Sequence, residues 1–159
     1  MKFAIVSDTH DNMANFNKII DFLNNPPAQA GEKINVILHC GDICNQETID
    51  EATKNFQGEI KFVRGNGDYD LEDIPSQMEI ELDNKKIALV HFPEIARLLA
   101  ESKEYDLVFY GHTHKPWEEK IGKCRLVNPG EVAGQRFKPT FAIYDTETDK
   151  LELKILEKI

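Results

Sequence analysis

Short apolar runs recur along this chain and alternate with polar segments. Their length and their β-branched and aromatic residues are typical of β-strands. We predict strands at 3–6, 36–38, 60–63, 87–90, 107–110, 125–127, 141–144 and 151–156. The early runs are mostly apolar rather than alternating, which favours strands buried on both faces. The last run alternates, with Leu151, Leu153 and Ile155 on one face.

Apolar residues at helical spacing lie between the early strands. The first helix is predicted behind a capping signal at 11–12, from Met13, Phe16, Ile19, Ile20 and Leu23. A weaker pattern at Ile49, Ala52 and Phe56 predicts a second helix. A third helix is predicted over 94–102.

The order of these elements predicts the architecture. The first half reads β-α-β-α-β, which is typical of a parallel sheet covered by helices. The second half adds hairpins about 83–84 and 122–123, while the breaker-rich segment 24–31 is predicted to be a loop. We therefore expect an α/β protein with two packed sheets of mixed strand direction and helices outside.

Length and composition narrow the class of protein. A chain of 159 residues and 18.2 kDa, with 41% hydrophobic residues, predicts one globular domain over 1–159. The net charge of -9 disfavours nonspecific binding to nucleic acids or to anionic membranes.

The N-terminus and the cysteines suggest a location. The sequence turns polar at Ser7-Asp8, too early for a signal peptide, and no segment is long and apolar enough to span a membrane. The odd, sparse set of Cys40, Cys44 and Cys124 fits reduced thiols better than disulfides, and the first two are interpreted as buried. We expect a cytoplasmic protein.

Side chains that can bind metals follow five of the predicted strands. They are Asp8 and His10, then Asp42, then Asn66 and Asp68, then His91, and finally His112 and His114. Each taken alone fits a turn, a helix cap or a core histidine. The ends of parallel strands meet at one edge of a sheet, so together they predict one site. The glycines before Asp42, Asn66 and His112 are explained by sharp turns.

The motif series resembles that of the calcineurin-like metallophosphoesterases. The matching strings are Asp8-x-His10, Gly41-Asp42, Gly65-Asn66-x-Asp68, His91 and Gly111-His112-x-His114. The short length, the strings at 7–12 and 111–116, and Asn128-Pro129-Gly130 most resemble the small phosphodiesterases of the YfcE type.

The resemblance implies a four-layer α/β/β/α sandwich with a dinuclear metal centre. It places Asp8, His10 and His114 on one metal, Asn66, His91 and His112 on the other, and Asp42 as the bridge. Asp42, Asn66 and Asp68 are the expected catalytic residues. Mixed imidazole and oxygen donors suit two divalent transition-metal ions, with manganese first and iron, nickel or zinc as alternatives.

The resemblance also implies an activity. A metal-bridging hydroxide is expected to attack a small phosphate diester, without a covalent protein intermediate. Two divalent ions would make the site locally positive, which reconciles an anionic substrate with an acidic surface. The expected partner is this small ester and neither a membrane nor nucleic acid. A homo-oligomer, the native metal and the natural ester stay open.

Three positions depart from the family pattern. Gly67 stands where many relatives have a His or Cys, and in the larger phosphatases the histidine is assigned to the leaving group. Phe92 and Pro93 follow His91, where glycine is common, and Glu131 replaces a frequent Ser.

Other residues have two interpretations each. Asp68 either orients a ligand or bonds the turn, His39 is either an outer partner or a buried core histidine, and Asn128 either braces the site or starts a turn. Phosphate contacts or ordinary solvated cations are the alternatives for Arg64, Lys115 and Arg136.

Two rival functions are weighed. One is a protein-binding scaffold like the retromer subunit that resembles these phosphodiesterases, and the complete ligand set argues against it. The other is a nuclease, which an acidic chain of this length scarcely accommodates.

Overall fold

The computed structural model describes residues 1–27 and 33–159, so half of the loop predicted at 24–31, residues 28–31, lies outside the described residues. Strands in the described part are, in chain order, β1 (Lys2–Val6), β2 (Val36–His39), β3 (Glu59–Phe62), β4 (Gln77–Leu82), β5 (Lys85–Val90), β6 (Leu107–Phe109), β7 (Trp117–Ile121), β8 (Cys124–Asn128), β9 (Thr140–Asp145) and β10 (Lys150–Ile155). All eight predicted strands are present, within one or two residues of their predicted ends.

These strands form two mixed five-stranded sheets. The first has the order β10-β9-β1-β2-β3 and the second the order β4-β5-β6-β8-β7. The pairs β1–β2, β2–β3, β5–β6 and β6–β8 are parallel, whereas the pairs β1–β9, β9–β10, β4–β5 and β7–β8 are antiparallel. Both predicted hairpins occur as two-residue turns, at Asp83-Asn84 and Gly122-Lys123. Asp83 and Asn84 have φ of 49° and 62°, the left-handed pair that a type I′ turn requires.

Three α-helices cover the sheets. They are α1 (Met13–Asn24), α2 (Gln46–Asn55) and α3 (Pro93–Glu101), and a 3₁₀ turn follows at Leu156–Lys158. The predicted cap is confirmed, because Asn12 Oδ1 accepts a hydrogen bond from the Asn15 N–H. The second helix begins three residues before its first predicted apolar position, where Asn45 caps the N–H of Thr48. None of these helices has the length and apolar content needed to cross a membrane.

The packing gives four layers. Phe3, Ile5 and Leu38 of the first sheet pack against Leu89 and Phe109 of the second in the central core. The opposite face of the first sheet packs on α1 and α2, and the outer face of the second sheet packs on α3. The predicted four-layer α/β/β/α sandwich is confirmed. The central parallel strands of both sheets end at one edge, where the polar loops lie.

Candidate metal centre

The polar loops after β1, β2, β3, β5 and β6 bring seven candidate ligand side chains together. One group contains Asp8 and two histidines. Nε2 of His114 lies 3.3 Å from Asp8 Oδ1 and 3.3 Å from Nε2 of His10, and His10 Nε2 lies 3.9 Å from Asp8 Oδ1. Asp8 and His114 are buried and His10 is half-buried. These three side chains come from loops more than 100 residues apart in sequence.

A second group lies around Asn66. Its Oδ1 is 3.1 Å from His91 Nε2 and 2.8 Å from His112 Nδ1. His91 is buried, whereas Asn66 and His112 are exposed. The second group therefore forms the solvent-facing side of the site.

Asp42 lies between the two groups. Its Oδ2 is 3.6 Å from His10 Nε2 and 3.4 Å from His91 Nε2, so one carboxylate oxygen neighbours a histidine of each group. Asp8 also offers a ligand atom within 4.8 Å of those of Asp42 and His91. Asp8 thus adjoins both groups, whereas the family resemblance assigns it to one metal.

The spacing of these atoms fits bound metal ions. Metal–ligand bonds of about 2.0–2.2 Å at tetrahedral or octahedral angles separate neighbouring ligand atoms by about 2.8–3.6 Å. The distances from Asn66 Oδ1, Asp42 Oδ2 and His114 Nε2 to their neighbours fall between 2.8 and 3.6 Å. The donor set fits the expected borderline divalent ions without large movement of the side chains.

Hydrogen bonds made by Nδ1 of His91 and Nδ1 of His114 determine which nitrogen of each ring faces the site. Nδ1 of His91 donates to the carbonyl oxygen of Cys40 at 2.8 Å, and Nδ1 of His114 donates to Glu131 Oε2 at 2.9 Å. In the neutral imidazole the proton is then on Nδ1, so Nε2 presents a lone pair. These lone pairs face the oxygens of Asp42 and Asp8. In this neutral form, a proton or a metal ion between the lone pairs and the carboxylate oxygens relieves their repulsion.

The pKa shifts of the buried groups also indicate that the site favours a positive charge. Burial opposes the protonated form of His91, but its hydrogen bond with Asp42 and the charge of Asp42 outweigh burial and raise the pKa of His91. Burial also opposes the charged form of Asp42, yet the same pair lowers the pKa of Asp42. Burial raises the pKa of Asp8. A positive charge between these groups, as a proton or as a metal ion, stabilises all three.

The backbone at the site is held in a sparsely populated conformation. Positive φ values between 44° and 68° occur at Asp8, His10, Asp42, His112 and His114. Such residues cost about 1–3 kcal/mol each and cluster at functional sites. The surrounding hydrogen bonds maintain this strain. Five of the seven candidate ligands share it.

Two glycines are explained by the turns and by close packing. Gly41 has φ of 95°, as the predicted sharp turn requires. Gly65 has a different reason, since a Cβ there would lie 2.2 Å from Asp42 Oδ1. A side chain at this position would displace the carboxylate between the two groups.

Asp68 bonds the turns that carry Asp42 and Asn66. Its carboxylate oxygens accept hydrogen bonds from the backbone N–H groups of Asp42, Ile43, Cys44 and Gly65, at 2.6–2.9 Å. These four bonds support the turn-bonding interpretation of Asp68. Its predicted catalytic role is then indirect, through the position of Asp42.

The interpretations of His39 and Asn128 are also resolved by their contacts. His39 is buried, with Nε2 2.7 Å from Thr9 Oγ1 and Nδ1 accepting from the Gly41 N–H. Asn128 donates to the Gly111 carbonyl oxygen and accepts from the Gly130 N–H, so it braces the site and forms the turn. Both residues fix the loops that bear the ligands.

The three candidate phosphate contacts differ in their surroundings. The Lys115 ammonium group lies 5.8 Å from the ring centre of Trp117, a cation–π contact. Arg136 is exposed and Arg64 is half-buried.

Three neighbours of the site were not predicted from sequence. The carboxylate of Glu131 bonds His114, and Sγ of Cys44 lies 3.6 Å from His10 Nδ1. Cys40 is buried as predicted, but Cys44 is only half-buried. Phe92 is 40% exposed. Its ring centre lies 5.1 Å from that of His112 and 5.2 Å from that of His91. The departures at Phe92 and Glu131 were the sequence signals that these positions differ.

A four-layer sandwich with imidazole, carboxylate and amide groups gathered at its strand ends is the architecture of the metallophosphoesterases. A family model of the calcineurin-like phosphoesterase superfamily domain matches residues 1–149, and the chain belongs to this superfamily. The resemblance inferred from the motifs is confirmed.

Individual relatives give a finer comparison. Phosphodiesterase MJ0936 of Methanocaldococcus jannaschii is 31% identical over 173 residues, covering 99% of this chain and 100% of that protein. The structure of an archaeal phosphodiesterase has a TM-score of 0.86 at 30% identity, covering 98% of this chain and 99% of that one. Vps29 of Entamoeba histolytica, solved with Zn²⁺, has a TM-score of 0.73 at 21% identity, covering 98% and 99%. This last likeness is one of fold.

Proposed function

We propose that the protein is a dinuclear metal-dependent phosphodiesterase that hydrolyses a small phosphate diester. The observation that carries this proposal is the position of Asp42 Oδ2 between Nε2 of His10 and Nε2 of His91. Family membership and the relatives named phosphodiesterase support the reaction type. The free thiols fit action in the reducing cytoplasm.

The ligand assignment follows the two groups. Asp8, His10 and His114 would hold one ion, Asn66, His91 and His112 the other, and Asp42 both. We infer two divalent transition-metal ions, with manganese preferred over iron, nickel or zinc. When bound, such a pair activates water and neutralises phosphoryl oxygens.

The protein's own residues define what the site accepts. Four buried carboxylates, those of Asp8, Asp42, Asp68 and Glu131, lie in or against the centre. They would offset more of the charge of two divalent ions than Asp8 and Asp42 alone, so the excess of positive charge is smaller than the sequence predicts. A monoanionic diester then adds less uncompensated charge than a dianionic monoester. The charge balance therefore favours diesters.

The leaving group receives no proton from position 67. Gly67 has no side chain, and its N–H is engaged by Asp42 Oδ1 at 2.6 Å. Esters with acidic leaving groups need the least protonation, so aryl esters are favoured. The exposed Phe92 ring beside His112 offers an apolar surface to such an aryl group.

Metal analysis of the purified protein, followed by assay with a chromogenic aryl diester and each metal added back, tests the proposal. We expect two equivalents of metal and metal-dependent turnover. Metal binding without turnover of any ester would instead support a protein-binding scaffold. Salt-dependent binding and cleavage of oligonucleotides would support a nuclease.

A further inference from the structure

Glu131 is a buried carboxylate with an unusual number of partners. It is 0% exposed and lies in the segment that links β8 to β9. Its Oε1 accepts from the N–H groups of Arg136 and Phe137, and its Oε2 accepts from the N–H of Gln135 at 2.8 Å. These three consecutive amides form the turn that returns the chain to β9.

The fourth partner is the imidazole of His114. Nδ1 of His114 lies 2.9 Å from Glu131 Oε2, the oxygen that also accepts from Gln135. A carboxylate only accepts hydrogen bonds, so the imidazole must carry its proton on Nδ1. In the neutral imidazole, Nε2 of His114 then presents a lone pair that faces Asp8 Oδ1.

The residues after Glu131 bond the other ligand loop. The N–H of Val132 donates to the Ser7 carbonyl oxygen and the N–H of Ala133 to that of Asp8, both at 3.0 Å. The side chain of Asn12 in turn donates to the Ala133 carbonyl oxygen. One short segment thus holds the backbone of Asp8 and the side chain of His114.

We propose that Glu131 is a positioning residue for one half of the metal centre. It orients His114 and fixes its tautomer, and it anchors the 135–137 turn to the same carboxylate. This inference rests on the proposed metal centre. Partners of this kind, which bond a metal-ligating histidine from outside, typically contribute about 10–100-fold to metal affinity.

The substitution Glu131→Gln tests the role, with metal affinity as the readout. The amide keeps the size of the side chain but points an NH₂ group at N–H donors, so it cannot satisfy all four. In chelator competition with Mn²⁺, we expect the affinity of one of the two sites to fall about 10–100-fold and that of the other to stay unchanged. Glu81→Gln, an exposed change on β4 that removes the same charge, should leave both sites unchanged.

A role confined to folding gives a different result. A lower melting temperature with both metal affinities unchanged would overturn the inference while leaving the metal centre intact. Absence of metal binding by the unmodified protein would overturn the metal centre and this inference together. With Co²⁺, the visible absorption of the variant should also differ from that of the unmodified protein.

A second measurement needs no variant. Long-range ¹H–¹⁵N spectra of the Zn²⁺-loaded protein report which nitrogen of His114 carries a proton. We expect a protonated Nδ1 and a metal-bound Nε2. A metal-bound Nδ1, or an Nδ1 without a proton, would overturn the role of Glu131 even if Glu131→Gln fails to fold.

Discussion

The backbone N–H of Gly67 donates a 2.6 Å hydrogen bond to Oδ1 of Asp42. Oδ1 is therefore engaged by the loop that follows β3, and Oδ2 is directed at Nε2 of His10 and of His91. The Asp68 carboxylate holds the same turn by accepting a hydrogen bond from the backbone N–H of Asp42. The fold therefore sets the orientation of the Asp42 carboxylate.

Asp42→Ala should disable the protein more completely than the loss of a ligand to one metal. Asp42 neighbours both ligand groups, so both ions should weaken together and turnover should fall below detection. His112→Ala, an exposed ligand of one group, is the matched comparison and should retain one strongly bound ion. Metal content and turnover of an aryl diester measure both effects. Two equivalents of metal and near-normal turnover in Asp42→Ala would show that Asp42 does not bridge.

The His39 side chain should make the metal-free protein less stable as the pH falls below about 6.5, whereas the raised pKa of His91 acts in the opposite direction. Burial, with the nearby charge of His91, lowers the pKa of His39 from 6.5 to about 3. Between these values the unfolded chain binds a proton that the folded protein excludes, because Nδ1 of His39 already accepts from Gly41. This one group should remove about 2 kcal/mol of unfolding free energy between pH 7 and pH 5.

Chemical denaturation in the presence of a chelator measures this loss. The variant His39→Gln does not titrate in this range, so its stability should fall less between pH 7 and pH 5 than that of the unmodified protein. The comparison of slopes holds even if the variant is less stable at every pH. Equal slopes would mean that His39 takes up a proton in the folded protein.

Much of the fold could be predicted because buried strands and helices leave periodic apolar patterns. The edge strands β4 and β7 were implied only by their hairpins, since β4 alternates Glu79 and Glu81 with half-buried residues. At an edge, one face meets water and the apolar signal weakens. The start of α2 was missed because Asn45 caps a turn of polar residues.

The candidate site could also be predicted only in part. Its candidate ligand residues follow strands, and the ends of strands can be predicted from the sequence. The partners of those ligands depend on contacts between distant loops, such as that of Glu131 with His114 across 17 residues. A glutamate that accepts three backbone N–H groups has no sequence pattern, because the turn that presents those groups exists only in the folded chain.

Phe92→Ala should weaken the binding of aryl diesters selectively. The exposed ring lies beside His112, and aromatic contacts contribute about 0.5–1.5 kcal/mol, so KM should rise about 2- to 10-fold. The kcat for aryl diesters and the KM for dialkyl esters should change little. Leu98→Ala, an exposed apolar change on α3, is the control. Equal increases in KM for aryl and alkyl esters, or a loss of metal, would show that the ring only packs on the histidines.

The last prediction concerns the leaving group. Because Gly67 provides no proton, the rate should depend steeply on the acidity of the leaving alcohol, and aryl diesters should react faster than alkyl diesters. A Cβ on Gly67 would lie 3.2 Å from Asp42 Oδ1 and 3.5 Å from Cys44 Sγ, so a side chain there requires the Asp42 carboxylate to move by a few tenths of an ångström. With metal content checked first, Gly67→His should accelerate alkyl diesters by up to about 10²-fold, with little gain for aryl diesters.

Gly67→Ala separates the imidazole from the mere presence of a side chain. It should show the steep dependence of the unmodified protein, because a methyl group carries no proton. Both variants are compared under conditions where chemistry limits turnover, with a series of diesters that differ only in the pKa of the leaving alcohol. Equal rates for aryl and alkyl diesters in the unmodified protein would mean that another acid serves the site. The absence of a proton donor at Gly67 would then have no bearing on which esters the protein hydrolyses.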